Sequence, residues 1–451
     1  MAESTKPRAA LIQTEIPGPK SRQLFAQEQK YIAPGTQGFA LFSGLVMERG
    51  EGATLTDVDG NRYIDFIAGI NVAALGHSHP HWVKLMTEQI QKLSVGSFCS
   101  ENRVKLTELL ASVTPGDLNR VQFYSGGAEA VEAAIRLAKA HTKKYEVVGF
   151  WGGFHGKTGG VLGVLGSNFK HSLGPLMPGL FLTPYPDCYR CPFKMKYPEC
   201  NFHCLDFARE MIKVETTNSI AAILVEPIQG TAGNIVPPPG AMRKIQEIAR
   251  EFGALLISDE MITGFGRCGE WFGVNHDGVV PDIMTCGKGI AAGFPLSAVI
   301  TSDRIANSPP WSNPSGSSSS YGGNPMGAAA GRASVETIRD QKLVENSRKV
   351  GALMLARFRD FERKFSFVDG VDGKGLMIRV ELVKSKATRE RLDRKVCEGI
   401  FLRAMRRGLL TMAYTSSFRV NPPLVLDEAT AMEGMDLLEE AFAETERELK
   451  R

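Results

Sequence analysis

The stretch from Leu255 to Leu296, LLISDEMITGFGRCGEWFGVNHDGVVPDIMTCGKGIAAGFPL, constrains the fold of this chain more than any other. Leu255-Leu256-Ile257 is a strand-like apolar run that ends on two neighbouring acids, Asp259 and Glu260. A glycine-rich turn follows, and a second short apolar stretch ends in Cys286-Gly287-Lys288-Gly289. Lys288 therefore stands 29 positions after Asp259. The glycines beside it remove side-chain bulk, so a flat molecule can approach the amine closely.

The same alternation of short apolar runs with helical periodicity fills the middle of the chain, the sign of a βα sheet with mainly parallel strands. Val121-Gln122-Phe123 reads as a strand, and residues 128 to 142 read as a helix with Val131, Ala134, Ile135 and Ala138 on one face. Strand-like Glu146 to Phe150 and Ala222 to Val225 follow. Next comes a helix carrying Met242, Ile245, Ala249 and Phe252, which Gly253 ends. Both chain ends differ from this pattern. GEGATLTDVDGNRYIDF reads as a hairpin turning at Asp59-Gly60, and residues 376 to 380 read as a strand before terminal helices that include an amphipathic one from Asp427. We expect an α/β protein of two lobes. A large domain over residues 76–335 holds a mainly parallel seven-stranded sheet flanked by helices, and residues 1–75 and 336–451 together make a smaller α+β domain.

Bulk properties exclude several functions. A net charge of +4 over 451 residues, with no long Lys/Arg run, does not suit nucleic acid. The first 25 residues are polar and broken by proline, without a signal-peptide core, and no apolar stretch has the length of a membrane span. The expected address is the cytoplasm, where eight cysteines are thiols rather than a disulfide framework.

A lysine at one strand end beside an acid at another suits pyridoxal phosphate. The amine holds the cofactor's aldehyde as a Schiff base, and the acid keeps the pyridine nitrogen protonated. Several ordered motifs extend this reading: LGHSHP, SGGAEAVEAAIRLAKAHT, GGFHGKT, VEPIQG, SDEMITGFGR, CGKGIAAGFPLSAVI, SYGGNP and FRVNPPL. Together with the hairpin motif, they make the chain resemble the class III (omega-type, GABA-aminotransferase-like) pyridoxal-phosphate aminotransferases of fold type I, from about Tyr31 to the last helix.

The resemblance implies roles for particular residues. Gly126, Gly127 and Ala128 open a helix whose free N–H groups suit a phosphate dianion, Gly126 replacing a family serine. Phe154 stacks on the cofactor ring, with His155 beside it. Asp259 meets the pyridine nitrogen, and Ile262 packs on the ring where some relatives carry glutamine. Ser320, or its neighbour Ser319, reaches the phosphate of a partner subunit, so a homodimer is implied. Arg419 grips the substrate's α-carboxylate as a bidentate fork, and Glu226 pairs with that arginine when a substrate lacking the carboxylate binds. Lys157 stands where GABA-handling relatives carry an arginine and offers only a point charge to a distal carboxylate. Ile70 occupies an apolar position that in decarboxylating relatives is glutamine.

The implied reaction is ping-pong transfer of an amino group between an amine or ω-amino donor and 2-oxoglutarate or pyruvate. Alternatives on the same scaffold are a racemase or epimerase and an amino-sugar aminotransferase, and from another class a metal-stabilised binding protein without catalysis. Cys188, Cys191, Cys200 and Cys204 form a C-x2-C-x8-C-x3-C pattern that zinc or an iron–sulfur cluster can use, though free thiols or disulfides fit it as well. His77, His79 and His81 alternate with no acid cluster nearby in sequence, which reads as a loop entering a helix rather than as a metal site.

Overall fold

The computed structural model describes residues 8–451; residues 1–7, at the start of the N-terminal segment read above, lie outside the described residues. The described residues divide into two compact units, residues 80–345 and the pair 8–79 with 346–451.

The unit of residues 80–345 is built on seven strands: β1 Arg120–Tyr124, β2 Glu146–Phe150, β3 Leu180–Thr183, β4 Ile220–Val225, β5 Leu255–Asp259, β6 Ile283–Cys286 and β7 Ser297–Thr301. They lie in the order β1-β7-β6-β5-β4-β2-β3. All neighbours from β6 to β3 are parallel, and only β7 runs against both β6 and β1. This is the mainly parallel seven-stranded sheet expected from sequence. Strands β4 and β5 are buried at every residue, which is why β4 and the first three residues of β5 read as unbroken apolar runs rather than alternating ones. Helix α1, Gly127–Thr142, covers the sheet with Val131, Ala134, Ile135 and Ala138, the predicted stripe, all buried. Helix α2 spans His203–Glu215, and α3, Ala241–Glu251, buries Met242, Ile245 and Ala249 before Gly253 turns the chain at φ +59°. Parallel strands bring successive C-terminal ends to one edge, and β5 and β6 are adjacent there, with Asp259 opposite Thr285.

The other unit joins both chain ends. Thr54–Asp57 and Arg62–Asp65 form the predicted hairpin, with Gly60 at φ +87° and Asp57 Oδ1 accepting from the Asp59 and Asn61 N–H groups at 3.0 and 2.9 Å. Leu409–Leu410 then adds in parallel beside Arg62–Asp65. The Ala9 and Ala10 N–H groups donate to the Glu433 carboxylate at 2.8 and 3.0 Å. A second sheet pairs Val368–Lys374 and Ser417–Val420 with the central strand Met377–Ser385. The amphipathic helix foreseen after Asp427 runs over Glu428–Leu449, capped by Asp427 accepting from the Thr430 N–H at 2.8 Å. No helix among the described residues is long and apolar enough to cross a membrane.

Candidate active site

Asp259 is the last residue of β5 and is 1% exposed. An isolated buried carboxylate is costly, so its two oxygens must be occupied. Oδ1 accepts from the Met261 N–H at 3.0 Å, and Oδ2 accepts from Nδ1 of His155, itself 3% exposed, at 2.7 Å. Burial alone would depress that imidazole, but the hydrogen bond and charge of Asp259 outweigh it and hold His155 above the ordinary histidine range. Nε2 of the same ring is buried without a hydrogen-bond partner. Glu260, the other half of the acid pair, serves the backbone instead. It accepts from Gly273 and Val274 N–H at 2.7 and 3.0 Å and from the Thr263 hydroxyl.

Lys288 lies two residues past the end of β6 and opens a short 3-10 turn with φ +45°, a strained conformation for a residue with a side chain. Two long-range bonds fix this turn. Ser334 Oγ donates to Gly289 O at 2.7 Å, and Trp82 Nε1 donates to Ala291 O at 3.1 Å.

Gly126 precedes α1 with φ −105° and ψ 148°, and a Cβ built on it would meet nothing within 4 Å. Ser297 Oγ donates to Gly126 O at 2.8 Å, and Glu129 accepts from the Ser125 and Gly126 N–H groups at 3.0 and 3.3 Å. Met261 joins this helix start to the lysine turn. Its sulfur would sit 3.2 Å from a Cβ on Gly127 and 2.4 Å from one on Gly287. Both glycines are thus needed for a close approach of backbone to one side chain. Sequence reasoning passed over Met261, Ser297, Ser334 and Trp82, because each acts on residues far away in the chain, and the motifs that contain Met261 and Ser297 do not announce those contacts.

The loop after β2 carries Phe154, whose N–H donates to Glu226 Oε1 at 2.8 Å; Glu226 Oε2 accepts from the Gly230 N–H at 2.9 Å. Both oxygens of Glu226 are thus held by main-chain donors, the arrangement of a loop brace. Burial above all raises its pKa to about 7, with the His155 charge opposing and the Asp259 charge reinforcing. Phe154 meets Phe169 edge-on at 5.6 Å, and the Lys157 ammonium lies 4.4 Å from the Phe169 ring centre and 5.9 Å from that of Phe154. Ile262 is buried, with Cδ1 packed where a Cβ on Gly230 would lie, 2.3 Å away. Ser320 is exposed, in the loop before the helix Pro325–Asp340, while Ser319 Oγ accepts from the Gly322 N–H at 3.3 Å.

Ile70 and Arg419 belong to the other unit. Ile70 sits in a turn where Ala68, Gly69, Ile70 and Asn71 all take positive φ, 48°, 60°, 63° and 67°. That is a costly geometry for a β-branched residue. Asp65 Oδ1 supports the turn by accepting from Ile67 and Ala68 N–H at 2.8 and 2.9 Å. Arg419 lies on Ser417–Val420 directly opposite Arg379, which pairs with Glu381 at 3.1 Å.

The histidines of GHSHPH take unrelated partners, His77 bonding Asp65 at 2.9 Å and His81 bonding Glu336 at 2.8 Å. The four clustered cysteines line one small cavity between β3 and α2, and all are free thiols.

Residues 38–442 match the family described as Aminotransferase class-III. The alanine/serine racemase of Pyrococcus horikoshii is 34% identical over 449 residues, covering 96% of this chain and 93% of that protein. The 4-aminobutyrate aminotransferase of Mycobacterium leprae is 33% identical over 437 residues, covering 94% and 96%. Among solved structures, a PLP-bound amine transaminase from an uncultivated Pseudomonas species superposes with a TM-score of 0.86 at 31% identity, covering 92% of this chain and 99% of that one.

Proposed function

The chain belongs to the class-III aminotransferase family, and from that premise we propose that it moves an amino group from an amine or ω-amino donor to 2-oxoglutarate or pyruvate with pyridoxal phosphate as cofactor. One observation above all supports the reading. Two adjacent parallel strands end in a buried Asp259 braced by His155 and in the strained turn that carries Lys288. The residues present fit the cofactor. A buried anion suits a pyridinium, the open space at Gly126 beside a helix N-terminus suits a phosphate, and an amine between glycines suits an aldehyde.

When bound, pyridoxal phosphate supplies the electron sink that stabilises a carbanion at the substrate carbon. In this assignment Lys288 would hold the cofactor's aldehyde through its amine, and its Nζ would move the proton at the substrate carbon. Asp259 keeps the pyridine nitrogen protonated, and His155 keeps Asp259 oriented. The N–H groups of Gly127 and Ala128 bind phosphate, with Gly126, whose own N–H donates to Glu129, leaving the space open beside them. Phe154 and Ile262 pack the ring, with Glu226 bracing the Phe154 loop. Arg419 takes the α-carboxylate, and Lys157 offers a point charge to a distal one. Apolar Ile70 leaves a substrate carboxylate without the amide that decarboxylating relatives carry. Ser320 reaches the phosphate of a second copy, making the working form a homodimer. Thiols at all eight cysteines suit the reducing cytoplasm.

Racemisation is the second reading, favoured by the relative from Pyrococcus horikoshii. It needs the same lysine without net amine exchange. A panel of amine donors offered with 2-oxoglutarate or pyruvate separates the two. Transfer consumes one keto acid per product, whereas racemisation inverts an amino acid with no keto acid present. Lys288→Ala is expected to fold, by circular dichroism, and to lose turnover by at least about 10⁴-fold; activity persisting in that variant would sink both readings.

A further inference from the structure

The loop from residue 184 to residue 202 takes no part in the proposed chemistry, and the observations on it stand independently. It joins β3 to α2 without a helix or strand of its own. Structureless loops longer than about 12–15 residues are uncommon in a compact unit unless function holds them. This one is rich in sulfur. Cys188, Cys191, Cys200 and Cys204 all line a single cavity of about 20 Å³, room for one water-sized body. Tyr185, Phe193 and His203 complete much of its wall. The loop turns at its cysteines: Cys191 O accepts from the Lys194 N–H at 3.0 Å, and Cys200 O accepts from the His203 N–H at 3.0 Å. Asn201 and Phe202 take φ +44° and +62°, which folds the chain back between the second pair.

We propose that these four cysteines are a structural site for one divalent cation of borderline softness, zinc being the ion that suits them. Four thiolates at about 2.3 Å from a shared centre form the closed tetrahedral set of a structural zinc site. Such a set leaves no open position for catalysis, so the ion's role is to cross-link a loop that has no ladder of its own. As the side chains stand, no group of three His, Cys, Asp or Glu among the described residues is set to hold an ion. Binding therefore requires the sulfurs to turn inward from the cavity wall. Four protons pass to solvent as four zinc–sulfur bonds form, leaving a site of charge −2. Arg190, Lys194 and Lys196 lie between the cysteines and carry the opposite charge. A cavity of this size suits a single ion rather than a multi-iron cluster.

Elemental analysis of the full chain, purified without added metal or chelator, tests the site. About one zinc per chain is expected, lost in C188S/C191S and kept in C99S, whose exposed thiol is not part of the cavity wall. Chelation should lower the Tm of the wild type and leave that of the double variant unmoved. Cobalt added to the stripped wild type should give thiolate charge-transfer absorption and strong tetrahedral d–d bands. This spectrum decides the matter if the double variant fails to fold. Four results overturn the proposal: zinc below about a tenth of an equivalent with no cobalt bands, zinc undiminished in the double variant, iron with acid-labile sulfide, or the four sulfurs found paired as disulfides by mass spectrometry.

Discussion

Replacing Glu226 by glutamine isolates the electrostatic cost of the brace beneath the Phe154 loop. The carboxyl is 4% exposed. Burial, moderated by the His155 charge and increased by that of Asp259, raises it from 4.5 to about 7. At 1.36 kcal/mol per pH unit, that interval corresponds to about 3 kcal/mol. Proton counting gives the sign. Between pH 4.5 and about 7 the folded chain holds a proton that the unfolded chain has released, so stability falls as pH rises through that window. The penalty is absent below about 4.5 and complete above about 7. Glutamine has no ionisable group and offers one acceptor to the two main-chain donors, as the protonated acid does. E226Q should therefore resemble the low-pH wild type at every pH. Spread over the unfolding entropy of 451 residues, about 3 kcal/mol corresponds to a Tm difference of about 3–4 °C. Scanning calorimetry of both proteins, saturated with pyridoxal phosphate and heated at one rate from pH 4.5 to 8.5, measures it. The two should coincide at the acid end, with E226Q melting higher at pH 8. A difference that does not change with pH, or an E226Q that melts lower at pH 8, would refute the reasoning.

Three further substitutions probe the assigned roles. Asp259→Asn removes the anion that His155 and Met261 share, and kcat should fall by about 10²–10³-fold; an unchanged kcat would take Asp259 out of the chemistry. Lys157→Ala should raise KM about fivefold for amines bearing a distal carboxylate, since the ammonium is exposed, and leave other amines alone. Equal effects on both classes would place Lys157 outside substrate recognition. Gly126→Ser restores a hydroxyl at an extended position with open space around it, and should tighten pyridoxal phosphate binding about tenfold in apoenzyme titrations. No change would mean the phosphate lies elsewhere.

The elements that carry the site were legible where local pattern and tertiary environment agree. Strand β4 is apolar throughout because both its faces are covered, and helix α1 shows its stripe because only one face is. What stayed hidden lives in single contacts over long separations. Nothing beside Phe154 announces that His155 bonds an acid 104 residues away, and nothing near Ser334 says that its hydroxyl fixes the backbone beside Lys288. Glu226 shows a second limit. Its motif identified an important carboxylate, but whether it faces a substrate or two main-chain donors depends on a loop from elsewhere in the chain. The turn through Ile70 is a third case, since Ala-Gly-Ile-Asn holds only two residues, Gly69 and Asn71, that favour positive φ.

The unit assembled from both chain ends has a consequence for synthesis. Its hairpin strand Arg62–Asp65 finds its parallel neighbour only at Leu409–Leu410, and Ala9 finds its acceptor only at Glu433. At roughly 5–20 residues per second, the ribosome needs roughly 20–70 s to travel between those two strands. Meanwhile the whole of residues 80–345 has emerged and can fold. The early strands spend that interval with an unpaired edge, in the cell's crowded interior, waiting for sequence that has not yet been translated.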